Sequence, residues 1–156
     1  MHVNLCLWLK VRRYGKGMVI NMKIKKCVME DIPQLAMLNK QLIEDEKSDN
    51  PMSVKELEER MRGFLNTEYE AFFFLAEEAI VGYALVKNTC TPLYLRQFLI
   101  DRAYRKQHYG TEAFHALLKH LGVESIDIEV LPWNERGMRF WESLGFREIS
   151  RYLRLR

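Results

Sequence analysis

A chain of 156 residues with 48% hydrophobic and 29% charged residues suits one folded domain with its own core, and excludes a disordered segment or a two-domain protein. Its formal net charge is +3, and the basic residues are spread among acidic ones except at Lys10–Arg13, Lys23–Lys26 and Arg151, Arg154 and Arg156, so neither a nucleic-acid nor a membrane surface is expected. Cys6, Cys27 and Cys90 form no CxxC pair and the histidines form no HExxH motif, which points to reduced thiols, a cytoplasmic location and no metal site.

Residues 1–21 contain the short apolar run VNLCLWL, with charges after it rather than before it and no small-residue cleavage site. They read as an N-terminal extension, either an extra strand or an upstream translation artefact, and not as a signal peptide. No run approaches the length needed to span a bilayer. A single domain is placed at residues 22–156. Met22–Val28 reads as its first strand. Asp31 can cap a helix whose first turn tolerates Pro33 and whose apolar side is Leu35, Leu38, Leu42 and Ile43. A second helix is marked by the capping-box spacing of Ser53 and Glu56 and the staple spacing of Met52 and Leu57. Leu57, Met61, Phe64 and Leu65 follow at helical intervals up to Asn66-Thr67.

AFFFLA and IVGYALV, separated by Glu77-Glu78-Ala79, predict an antiparallel hairpin, with Gly82 marking a bulge. LYLRQFLI predicts a central strand, too apolar at its end for an edge. It runs into Arg105–Thr111, RKQHYGT, and then an amphipathic helix with Ala113, Phe114, Leu117, Leu118 and Leu121 on one side and Gly122 as its stop. A helix start leaves N–H groups unpaired and carries partial positive charge, so this turn can hold a phosphate; taken alone it can equally be an ordinary turn. SIDIEV alternates as a half-buried strand, Asn134 caps the helix NERGMRFWESL, which Gly145 ends, and a last strand is expected from Phe146 to Leu155. The order of elements is mixed α/β.

The strand FLIDRAYR, the turn RKQHYG with its helix, the strand IDIEV and the run N-E-R-G-x-x-F-W-E-S-L-G-F together resemble the GNAT superfamily of N-acetyltransferases, most strongly from Leu93 to Phe146. The resemblance implies a twisted mixed central sheet flanked by helices. It also implies transfer of an acetyl group from acetyl coenzyme A to a primary amine, by direct attack within a ternary complex and without a metal. Backbone amides of Arg105, Lys106, Gln107, His108, Tyr109, Gly110 and Thr111 would hold the pyrophosphate. Arg105 and Gly110 fit the family's pattern, whereas His108 stands where that pattern has a glycine. Leu99 and Ile100 would occupy the bulged stretch whose backbone pairs with pantetheine and the acetyl carbonyl, and Asn134 is either a helix cap or a pantetheine contact.

An alkyl amine titrates near lysine's value of about 10.4, so a base must take its proton. Glu129 matches the acidic position of related enzymes, against a plain reading as a solvent-facing strand residue, and Asp127 shares its face by period two. Trp141 stands where similar enzymes often place a tyrosine acid. An indole cannot fill that role, and Trp141 reads first as packing. Cys90 lacks a histidine partner for a thiol route. The rival reading, fed by His108 and Trp141, is a non-catalytic acyl coenzyme A sensor or interaction module. Residues 44–53 and 88–93 are expected on the acceptor side; the acceptor is left unnamed, and a homodimer is admitted by resemblance only.

Overall fold

In the computed structural model, Gly15 and residues 18–156 are described, so most of the N-terminal extension expected at 1–21 lies outside the described residues. The sheet is five-stranded, in the order β1 (Met22–Lys26), β2 (Tyr69–Ala76), β3 (Ala79–Lys87), β4 (Leu93–Ile100) and β5 (Ile126–Ile128). The first four strands are antiparallel neighbours; β4 and β5 run parallel. Between the strands in sequence come α1 (Ile32–Asp45), α2 (Val54–Leu65) and α3 (Tyr109–Leu121), and α4 (Glu135–Ser143) follows β5.

Strand alternation divides the core into two layers. Phe72 and Phe74 join Val81, Ala84, Val86 and Leu95 on the face covered by α3 and Trp141 of α4. Phe73, between them in sequence, joins Tyr83, Leu85 and Leu99 on the face covered by α1 and α2. Each fully buried ring contributes roughly 1.5–3 kcal/mol. The second helix starts as its sequence predicts: Ser53 Oγ accepts from the Glu56 amide at 3.3 Å while Glu56 accepts from the Ser53 amide at 2.7 Å. Met52 packs against Leu57, as the staple spacing requires. Asp31 precedes α1, but its carboxylate accepts from the Val28 amide at 2.9 Å and serves the short turn before the helix.

Three expectations need correction. The last strand expected from Phe146 to Leu155 is absent: after α4 ends, the chain past Gly145 does not rejoin the sheet, and Ile149, Tyr152, Leu153 and Leu155 are exposed. Alternation says that a segment fits a pleated surface, and a strand also needs a neighbour to pair with. SIDIEV contributes only Ile126–Ile128. Finally, the bulge in β4 is at Arg96 and not at Leu99–Ile100, because Leu85 pairs with Gln97 while Val86 pairs with Leu95. That extra residue reverses the alternation. Leu95 and then Phe98 face α3, while Gln97 and Leu99 face the other layer, where Gln97 accepts from the buried Tyr83 hydroxyl at 2.8 Å. The irregularity expected at Gly82 lies beside it, since Phe74 pairs with Gly82 and Leu75 with Ile80. Gly82 itself is required by close approach, as a Cβ there would lie 2.0 Å from the Leu99 carbonyl oxygen.

Candidate active site

The parallel pairing of β4 and β5 ends at Leu95 and Ile128. Beyond it β4 continues to Ile100 without β5 beside it, and the gap is a cavity of about 380 Å³. One wall is β4 from Leu95 to Ile100; the opposite wall is Ile128, Glu129, Asn134, Phe140 and Trp141. The turn and the start of α3 supply Lys106 and His108 to Thr111, and the end of α1 supplies Leu42, Asp45 and Glu46. So the apolar end of LYLRQFLI, expected in the sheet centre, has an open side that faces the cavity.

Of the residues expected to hold coenzyme A, Leu99, Ile100, Arg105, Lys106, His108, Tyr109, Gly110, Thr111 and Asn134 line this cavity. Gln107 is exposed and outside the lining. Arg105 is engaged elsewhere with its guanidinium: Nε donates to the Ile100 carbonyl at 2.8 Å and Nη2 pairs with Asp45. Arg102 joins the same carboxylate at 2.7 Å and Glu44 at 3.0 Å. Burial pushes the Asp45 carboxyl up, but the hydrogen bonds from Arg105 and Arg102 outweigh it and hold the group below its ordinary value. The turn is thereby fastened to the end of α1.

His108 has φ 65°, the left-handed region that costs a side-chain-bearing residue about 1–2 kcal/mol, and Lys106 has φ 61°. The glycine of the family's pattern at this place is therefore a matter of backbone conformation. Gly110 is in the helix, and what it permits is packing: a Cβ would meet Phe140 Cε2 at 3.2 Å. Asn134 is a cap, accepting from the Gly137 amide at 2.9 Å, and a Cβ on Gly137 would lie 2.5 Å from its Nδ2.

Glu129 is exposed, one residue past β5, and lines the cavity; Asp127, opposite Tyr94 in the pairing, does not. A second carboxylate escaped the sequence reading by name. Glu46 ends α1, is half-buried, and has its pKa raised by burial and then by the charge of Asp45. Its carbonyl accepts from Trp133 Nε1 at 2.9 Å, tying the α1 end to the loop after β5. The signal was present in Glu44-Asp45-Glu46, since acidic residues at a helix C-terminus oppose the macrodipole. Trp141 is 9% exposed and ringed by Phe98, Phe140 and Phe146, with centroids at 5.1, 4.8 and 5.2 Å. Neither Cys27 nor Cys90 lines the cavity, and burial pushes the Cys27 thiol up to about 12. Among the described residues no helix is long and apolar enough to cross a membrane, and no group of three or more His, Cys, Asp or Glu could hold a metal ion.

Comparison with known proteins agrees with the fold. The model of the acetyltransferase (GNAT) family matches residues 36–146. A possible acetyltransferase from Clostridium difficile 630 is 14% identical, with a TM-score of 0.71 over 86% of this chain and 96% of that one. An aminoglycoside N-acetyltransferase in complex with CoA is 15% identical, with a TM-score of 0.68 over 89% of this chain and 96% of that one. A predicted acetyltransferase with acetyl-CoA from Clostridium acetobutylicum is 18% identical, with a TM-score of 0.65 over 87% of this chain and 96% of that one. No curated protein matches the chain.

Proposed function

Because the chain belongs to the acetyltransferase (GNAT) family, an N-acetyltransferase drawing on acetyl coenzyme A, we propose that it moves the acetyl group to a primary amine by direct attack within a ternary complex. The observation that carries this reading is the open side of β4. From Arg96 to Ile100 the strand has no β5 partner and faces a cavity that also receives the start of α3. Free main-chain groups at a strand edge can pair with an extended ligand, and free N–H groups at a helix start favour an anion. Pantetheine along β4, with the pyrophosphate at residues 108–111, matches both features, and Lys106 and Arg136 are cavity cations for the remaining phosphate charge.

The amine nitrogen bonds to the acetyl carbon, the carbon–sulfur bond breaks, and the sulfur leaves as thiolate. A cysteine thiol titrates near about 8.5, and an alkyl thiolate such as coenzyme A's is a good enough leaving group to depart and then take a proton from water without a dedicated acid. The proton lost by nitrogen goes to a cavity carboxylate and on to water. Glu129 and Glu46 are the carboxylates available, since Asp45 is committed to Arg105 and Arg102. A β4 main-chain donor stabilises the oxyanion.

The test is calorimetric titration with acetyl coenzyme A, followed by a thiol-release screen of primary amines. Acetyl coenzyme A should bind and some amines should release free thiol with formation of the amide. Binding without amide formation from any amine overturns the proposal.

A further inference from the structure

The cavity holds charges of both signs, and Arg96, one of the positive ones, has no carboxylate partner among the described residues. Among the described residues, Arg102 and Arg105 pair with Glu44 and Asp45, Arg62 with Glu59, Arg139 with Glu135 and Arg151 with Glu148. Arg60 and Arg96 instead gather at one aromatic ring, with their Cζ atoms 5.2 and 5.0 Å from the Phe64 centroid. Arg96 also donates to the Tyr69 hydroxyl at 3.2 Å. No carboxylate lies within 4.0 Å of either guanidinium among the described residues. Burial and then the charge of Arg96 lower the pKa of the half-buried Arg60. Two neighbouring cations, one half-buried and neither paired with a carboxylate, are unfavourable in the free protein. An anion relieves that cost.

Arg96 is placed there by the β4 bulge, and it lines the cavity together with Glu46 and Glu129. Carboxylates suited to an ammonium group and a guanidinium suited to an oxyanion therefore share one space. Asp45 adds little negative charge to it, being neutralised by Arg102 and Arg105. A polycationic acceptor would satisfy Glu46 and Glu129 but be repelled by Arg96, whereas a zwitterion would satisfy both signs. Guanidinium forks bind carboxylate and phosphate oxygens through charge-assisted hydrogen bonds, often in pairs.

We propose that the acceptor is a small amine bearing an anionic group, as in an amino acid or an aminoalkyl phosphate, with Arg96 receiving the anion, Arg60 adding positive charge from outside the cavity lining, and Glu46 and Glu129 facing the nitrogen. This rests on the acetyl-transfer reading above and names its substrate class.

The experiment is thiol release from acetyl coenzyme A with matched acceptors: amino acids against their carboxamides, phosphoethanolamine against ethanolamine, and spermidine as a polycation. The anionic member of a pair should show a kcat/KM at least about tenfold above its neutral partner, as expected for a charge-assisted contact. Whether carboxylate or phosphate gives the larger ratio identifies the anion. Arg96→Gln should raise the acceptor KM about tenfold and shrink the ratio, and Arg60→Gln should do so by a smaller factor, both leaving the KM for acetyl coenzyme A unchanged. Arg96→Lys, which keeps the charge, should recover part of it, and thermal melting of each variant checks folding. Turnover of neutral amines or spermidine at or above that of the anionic acceptors overturns the substrate class alone. Amide formation from no amine of any charge, with acetyl coenzyme A bound, overturns the acetyl-transfer reading along with it.

Discussion

Arg105 donates from Nε to the carbonyl oxygen of Ile100 at 2.8 Å, so the first residue of the turn is fixed to the last residue of β4. The same guanidinium reaches Asp45, and the turn, the strand end and α1 become one unit.

Asp45→Asn should therefore lower stability at neutral pH by about 1–2 kcal/mol, since it leaves two guanidiniums short of a carboxylate. The folded pKa of Asp45 lies below its unfolded value. Its contribution is present above the unfolded value of about 3.9 and is lost as pH falls through the folded one. Urea unfolding at pH 7 and near pH 3 should show the parent losing more stability on acidification than the variant does.

His108→Gly should relieve the left-handed strain of about 1–2 kcal/mol while adding chain entropy of about 0.5–1 kcal/mol to the unfolded state. The net expectation is a gain of up to about 1.5 kcal/mol, read as a higher melting temperature. Coenzyme A affinity should be kept within about threefold, because backbone amides do the holding. A large loss of affinity in calorimetry would assign the imidazole a direct part in binding.

Gly110→Val should weaken coenzyme A binding by about tenfold or more through displacement of Phe140, which a Cβ would already approach to 3.2 Å. Adding Phe140→Ala to that variant should restore part of the affinity. If affinity is unaffected by Gly110→Val, the start of α3 is not the anion site.

Glu46→Gln and Glu129→Gln should each reduce turnover more at low pH than at high pH, where neutral amine is available from solution. Glu46 carries a second signature. Its folded pKa is raised, so its ionisation opposes folding: stability is full below the unfolded value of about 4.3 and declines as pH rises through the folded value. Glu46→Gln should thus melt higher than the parent at pH 7 while turning over more slowly. Equal pH–rate profiles of parent and variant would remove that carboxylate from proton transfer.

Trp141→Phe should retain acetyl transfer within about tenfold and lose some stability through looser packing among Phe98, Phe140 and Phe146. Loss of several orders of magnitude in kcat, in a folded variant that binds acetyl coenzyme A, would give the indole N–H a place in the reaction.

Local rules made much of this legible. The Ser53–Glu56 box, the Met52–Leu57 staple, the hairpin around Glu77-Glu78 and the packing role of Trp141 all follow from side chains close in sequence or from a single apolar stripe. What stayed hidden depends on neighbours brought in from elsewhere. The reversal of faces at Arg96 is set by pairing with β3, and nothing in LYLRQFLI distinguishes it from a regular strand. That the Arg105 side chain is held by Asp45 follows only once α1 is in place. Glu46 gains its character only when the α1 end is held against the loop carrying Trp133, a contact 87 residues distant along the chain.

The exposed residues after Gly145 bear on handling of the protein in solution. Ile149, Leu153 and Leu155 are aliphatic residues 84%, 86% and 99% exposed, a composition suited to stacking between molecules, yet Arg151, Arg154 and Arg156 are interspersed with them. Arg151 is paired with Glu148, and Arg154 and Arg156 are placed to act as gatekeepers by mutual repulsion between copies. Such repulsion has a range of about 8 Å at physiological ionic strength and about 3 Å at 1 M salt. Colloidal stability should therefore be a low-salt property of this protein, and light scattering on raising sodium chloride toward 1 M should report self-association that dilution of the salt reverses.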